Sequence, residues 1–169
     1  SFGVLSSSAD RQSPIGNGRL IPLKRDAEGK KIRPIVVGEC MRRLTGSALV
    51  RSRVSIIEER CLKANNLAFS PNGCGTGFRV IELLLHEDPD KLLVETDLAS
   101  AFQKASREDM LEALWEVAEF RDFIPFFMSL YGGDAKLFVA DFGALLSEWG
   151  CHQGCPLGTF LFVISIASI

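Results

Sequence analysis

An acid placed at the end of an apolar run is a carboxylate that can be held still. Leu92, Leu93 and Val94 run into Glu95-Thr96-Asp97, and Phe102 and a new helix start follow. Asp97 could be a solvated loop residue, a helix cap or a ligand for a hard cation such as Mg²⁺, which takes carboxylate oxygens together with phosphates and water. Two cations stand far upstream, Lys24 and Arg33, on either side of the polar stretch RDAEGK. Arginine grips phosphate with a planar fork, and lysine offers a compact charge. A third group is Gln153-Gly154, in HQGCPLGTFLF, where a tight turn feeds an apolar run. Cys151 and Cys155 flank that turn in a Cys-x3-Cys spacing, but no second pair lies nearby to complete the four ligands of a structural zinc.

The elements that must position these groups follow from pattern. Leu20 to Leu23 and Ile32 to Val37 are predicted as two strands of a hairpin, with Gly29 in its turn. Residues 39–64 carry apolar residues at helical period, with Val50, Val54, Ile57 and Cys61 able to share a face and a break expected near Gly46. NNLAFSPNGCGTGF is expected to be a glycine-rich loop, and FRVIELLLHED a helix stopped by Pro89. KLLVETD, an unbroken apolar run, predicts a buried strand. SREDMLEALWEVAEF predicts a helix capped by Ser106 with Asp109 three residues on. FRDFIPFFMSLYGGD predicts a further helix with Pro125 in its first turn, and AKLFVADFGALLSEWGC a second hairpin turning near Gly143. Hairpins mixed with helices give an α+β fold, antiparallel hairpins packed against helices.

The totals set bounds. A chain of 169 residues, 47% hydrophobic and 24% charged, is long enough to bury a sizeable core. The first residue is Ser, and the sequence ends in the apolar run GTFLFVISIASI, so we expect a piece of a longer protein. That run is too short to span a bilayer, and no membrane insertion is expected. The opening Ser/Gly-rich segment lacks the pattern of a signal peptide. Five cysteines at scattered spacing point to reduced thiols and an intracellular setting, nuclear or cytoplasmic. Charge is uneven. Residues 19–63 hold twelve Lys/Arg against five Asp/Glu, and residues 64–169 hold six against fifteen. The basic part could meet phosphates and the acidic part cations, or both could be solvated faces.

Taken together, the three groups resemble a reverse transcriptase domain of the non-LTR retrotransposon and group II intron type. RLIPLKRDAEGKKIRPIVVGECMRRL is similar to the fingers motif of that family, VETDLASAFQKASRE to its first palm motif, and QGCPLGTFLF to the palm motif that follows. The likeness runs from Arg19 to the last residue, in family order. It implies a flexible leader over 1–18, a fingers-like region over 19–90 and a partial palm over 91–169. It implies Mg²⁺ in an intact parent enzyme, and an RNA template, a DNA primer and a deoxynucleoside triphosphate as partners, with other protein subunits as further candidates. Asp97 would be the catalytic, metal-holding acid. Lys24 and Arg33 would face the triphosphate, Phe102 would lie under the sugar, and Gln153 and Gly154 would shape the floor below the templating base. Arg42, Arg43, Arg51, Arg53 and Lys63 would track a template backbone, unless they form a solvated face.

The sequence departs from the family pattern as well. There is no Asp-Asp dipeptide, and Gly158 is followed by eleven residues, so the hairpin that carries the second metal-binding acid is not reached. Cys155 stands where an acid is usual, and Thr159 where proline is common. Ser70-Pro71 occupies a region where the family often has glutamine. The expectation is therefore a reverse transcriptase fragment, inactive alone. The alternatives are a non-catalytic relic serving as a structural or RNA-binding subunit, and a simple RNA-binding module.

Overall fold

The computed structural model describes residues 14–28 and 31–166. The leader expected over 1–18 lies mostly outside the described residues, and so does Gly29. Strand β1 (Gly18–Lys24) and strand β2 (Ile32–Gly38) pair antiparallel, from Gly18 opposite Gly38 to Lys24 opposite Ile32. Their turn is held by the Arg25 amide donating to the Lys31 carbonyl at 2.7 Å, and by the Lys31 amide donating to Asp26 Oδ2 at 3.1 Å. Pro22 faces Pro34 across the ladder. The Val36 amide points outward from the hairpin to Gln153, so pairs of its parity, Pro22 and Pro34 included, exchange no ladder bonds. Two residues without amides therefore cost the hairpin nothing.

Helix α1 (Cys40–Ser52) follows directly, and α2 (Val54–Lys63) continues it after a bend at Arg53. The bend is not at Gly46. That glycine is buried inside α1, where a Cβ would make only ordinary contact, 3.6–3.8 Å, with Phe126, Pro156 and Leu157. Ile57 and Cys61 are buried and Val50 packs against the core as expected, whereas Val54 is exposed. Helix α3 (Gly73–Glu87) starts earlier than the pattern suggested and absorbs the glycine-rich stretch. Gly73 fits there because a Cβ would run into the Leu67 carbonyl.

Residues 91–98 correct the sequence expectation most sharply. They form no helix and join no strand of the sheet, and Leu92 is 91% exposed. An apolar run forms a buried strand only where neighbours supply ladder partners and cover, and the described residues supply neither. A short α4 (Ala101–Lys104) follows, then α5 (Arg107–Glu116), whose first turn is capped as expected by Ser106 Oγ accepting from the Asp109 amide at 3.1 Å. After a 3-10 stretch (Ala118–Phe123), α6 (Ile124–Tyr131) carries Pro125 in its first turn.

Strands β3 (Lys136–Val139) and β4 (Gly143–Leu146) form the second hairpin, and Gly143 has φ +87° at its turn. One four-stranded sheet results, in the order β2-β1-β3-β4. Its central pair, β1 with β3, is parallel and spans only Gly18 with Leu137 and Arg19 with Phe138, so the sheet is mixed. The fold is α+β. Helix α7 (Gly158–Ile166) is the apolar terminal run, buried as a core helix. Its Phe160 ring lies 5.0 Å from Phe120 and 4.9 Å from Phe123, and Met110, Leu114, Phe127 and Leu130 complete that core. Burying each such side chain contributes on the order of 2 kcal/mol. No helix among the described residues is long and apolar enough to cross a membrane.

Candidate functional site

The turn between β4 and α7 is where the two halves of the sequence meet. The Val36 amide on the outer edge of β2 donates to the Gln153 carbonyl at 2.8 Å, and the Cys151 amide donates to the Phe102 carbonyl at 2.8 Å. Gly150 and Gly154 permit these approaches. Gly150 has φ +65°, and a Cβ there would meet the backbone of Phe102 and Gln103. Gly154 has φ +105°, and a Cβ there would sit 2.8 Å from the Val36 carbonyl. The resemblance placed Gly154 in the floor below a templating base. In the structure the close neighbour is the β2 backbone itself.

A cavity of about 250 Å³ opens between the first hairpin and this turn. Its lining includes Leu20, Pro34, Val36, Gln103, His152 and Gln153, and also the acid Glu148. Gln153 lines this cleft, as do Pro34 and Gln103, the residues that follow Arg33 and Phe102, whereas Lys24, Arg33, Asp97 and Phe102 are not among its lining residues. Lys24 shares the ribbon face of Leu20, Pro34 and Val36, because paired residues point the same way and successive residues alternate. Arg33, opposite Leu23, falls on the other face. Both side chains are exposed at the hairpin tip.

Phe102 is half-buried, and its ring stacks on Phe162 of α7 with centroids 5.0 Å apart, so packing accounts for much of its position. Asp97 is exposed, and among the described residues its carboxylate has no hydrogen-bond or ion-pair partner. An open carboxylate is the right kind of single ligand for Mg²⁺ held otherwise by phosphate and water.

The expected basic face changes most at Arg42. It is buried, not available to a template: Nη1 donates to the Gly16 carbonyl at 3.1 Å and Nη2 to His152 Nδ1 at 2.6 Å. Arg53 is paired with Asp122 at 2.9 Å and Lys63 with Glu59 at 2.7 Å. Arg43 and Arg51 stay exposed, with no ion-pair partner among the described residues.

Below the cleft lies a buried polar network that the sequence did not reveal. A guanidinium only donates, so His152 Nδ1 accepts from Arg42 and the ring proton sits on Nε2. Nε2 lies 2.7 Å from Ser147 Oγ, which also accepts from Arg107 Nη2 at 2.9 Å. The His152 amide donates to the Tyr131 hydroxyl at 3.1 Å, and the Arg107 guanidinium stands 4.9 Å over the Tyr131 ring. Burial, then Arg42 and Arg107, lower the His152 pKa to about 3. Burial, with Cys155 beside it, pushes the Cys151 thiol up to about 12, and burial also raises Tyr131. A Ser-His pair in a cleft suggests nucleophilic hydrolysis, but this imidazole already bears a proton toward Ser147 and cannot take another from it. The network instead holds the turn that presents Gln153. Its only sequence signal was a histidine and a serine close to the turn, with both arginines remote.

No protein-family model matches the chain, and no curated protein or solved structure is similar enough to count as a relative.

Proposed function

We propose that the chain is the fingers and partial palm of an RNA-templated DNA polymerase of reverse transcriptase type, inactive alone and active in an intact parent. The observation that carries this reading is the convergence of the three motif regions on one cleft: Pro34 and Val36 beside Arg33, Gln103 beside Phe102, and Gln153. Lys24, on the ribbon face that lines the cavity, is the cation best placed to meet a triphosphate there. Arg33 would meet it from the hairpin's other face or its tip. Asp97 would hold Mg²⁺, which supplies charge neutralisation for a phosphoryl oxygen. Arg43 and Arg51 are the cations free to follow a template, and that attraction is screened by salt.

A second reading is a non-catalytic subunit of a larger assembly. The exposed apolar residues Leu92, Leu93 and Val94, with Leu83 and Leu84 of α3, favour it, because an unpartnered apolar surface marks a place for cover. Primer extension in the intact parent separates the two. Asp97→Ala should abolish extension and leave RNA affinity nearly unchanged. Extension that survives the substitution removes the polymerase reading. Affinity for RNA should also fall steeply between roughly 50 and 200 mM salt, and a flat response would remove the phosphate-binding role.

A further inference from the structure

We infer that residues 91–97 pair antiparallel with the same residues of a second copy of this chain, about a two-fold axis through Val94. The stretch forms neither helix nor strand, and among the described residues no amide or carbonyl of residues 92–98 makes a backbone hydrogen bond. Leu92 and Val94 are 91% and 80% exposed. A run of exposed, unpaired backbone groups is open to pairing with another strand.

The sequence of the stretch selects the occupant. With the axis on Val94, Lys91 of each copy lies opposite Asp97 of the other, so the charged ends match twice and no like charges face each other. Leu92, Val94 and Thr96 then form one continuous face with their counterparts. Moving the axis to Glu95 sets Glu95 against itself. Moving it to between Leu93 and Val94 sets Asp90 against Asp97. Moving it to Leu93 draws Pro89, which has no amide, into the ladder opposite Asp97. A self-complementary patch of this kind makes an isologous, closed dimer. The contact is a two-stranded ribbon, so the dimer is weak and reversible. In such a dimer Asp97 faces Lys91 of the second copy, so its carboxylate could hold Mg²⁺ only in the monomer.

Sedimentation of the chain over a wide concentration range tests it. The native sequence should pass from monomer to dimer as concentration rises, and the amides of 92–97 should gain hydrogen-exchange protection over the same range. Lys91→Asp and Asp97→Lys should each remain monomeric, since each sets like charges opposite one another. An equimolar mixture of the two should associate, because both charge pairs are then restored. Val94→Pro should be monomeric with an unchanged circular dichroism spectrum, since residue 94 is exposed and makes no backbone bond. A monomer at every concentration overturns the inference. So does a dimer indifferent to Val94→Pro, a mixture that does not associate, or protection of 92–97 that follows added strands of another polypeptide and not concentration.

Discussion

Arg42 Nη2 lies 2.6 Å from His152 Nδ1, so a buried guanidinium donates into a buried imidazole across 110 residues of sequence. That one bond fixes the tautomer of His152 and, through Ser147, the path of the turn that reaches β2. Replacing Arg42 by alanine leaves His152 Nδ1 and the Gly16 carbonyl without their donor. We expect a loss of about 2–3 kcal/mol, read from urea denaturation. Arg42→Lys should recover little, because one ammonium does not reproduce the fork that reaches both acceptors.

Stability should also depend on pH through His152. The imidazole titrates near 6.5 when unfolded, and its pKa is lowered to about 3 in the fold. Between those values the unfolded chain binds the extra proton, so stability falls as pH drops from about 6.5 toward 3. The full effect is on the order of 5 kcal/mol. His152→Gln, whose amide can accept from Arg42 and donate to Ser147, should flatten this part of the profile. A profile unchanged by that substitution would assign the acid loss to carboxylates.

Thiol chemistry should divide the cysteines. Cys40 and Cys74 are exposed, whereas Cys61, Cys151 and Cys155 are buried. Burial raises the pKa of Cys61, and that of Cys151 is pushed up to about 12, which keeps both as unreactive thiols. A disulfide reagent should therefore titrate two thiols quickly in the native protein and five after denaturation.

Gly154→Ala should strain the turn twice over, at φ +105° and at 2.8 Å from the Val36 carbonyl. We expect a cost of about 1–3 kcal/mol and loss of protection at the Val36 amide in hydrogen exchange. Asp97→Asn, by contrast, should change stability by less than about 0.5 kcal/mol, since the side chain is exposed and makes no contact that the fold uses.

Local chemistry was legible and mutual position was not. Ser106 and Asp109 announced their cap, Pro125 its first turn, and the β-branched run from Ile32 its strand, because each signal acts within a few residues. Of the three stretches singled out, each lends a residue to the cleft, Pro34, Gln103 and Gln153. What failed depended on distant partners. Leu92 to Val94 promised a buried strand, yet the ladder that would bury them is not supplied by the described residues. Arg42 looked like one more surface cation in a basic helix, and only the tertiary approach of His152 explains its burial. Gly46 suggested a break, but it lies buried within α1, and the bend falls seven residues later at Arg53.

The short parallel contact of β1 with β3 joins strands more than a hundred residues apart. A ribosome must therefore have released most of the chain before the first hairpin can gain its second neighbour, and assembly of the sheet is a late event with a high loop-closure cost. A cut at residue 90 would separate β1 and β2 from β3 and β4, and Arg42 from His152. Residues 19–90 and 91–169 thus depend on each other for the sheet and for the buried Arg42–His152 bond, and neither stretch is suited to being expressed by itself.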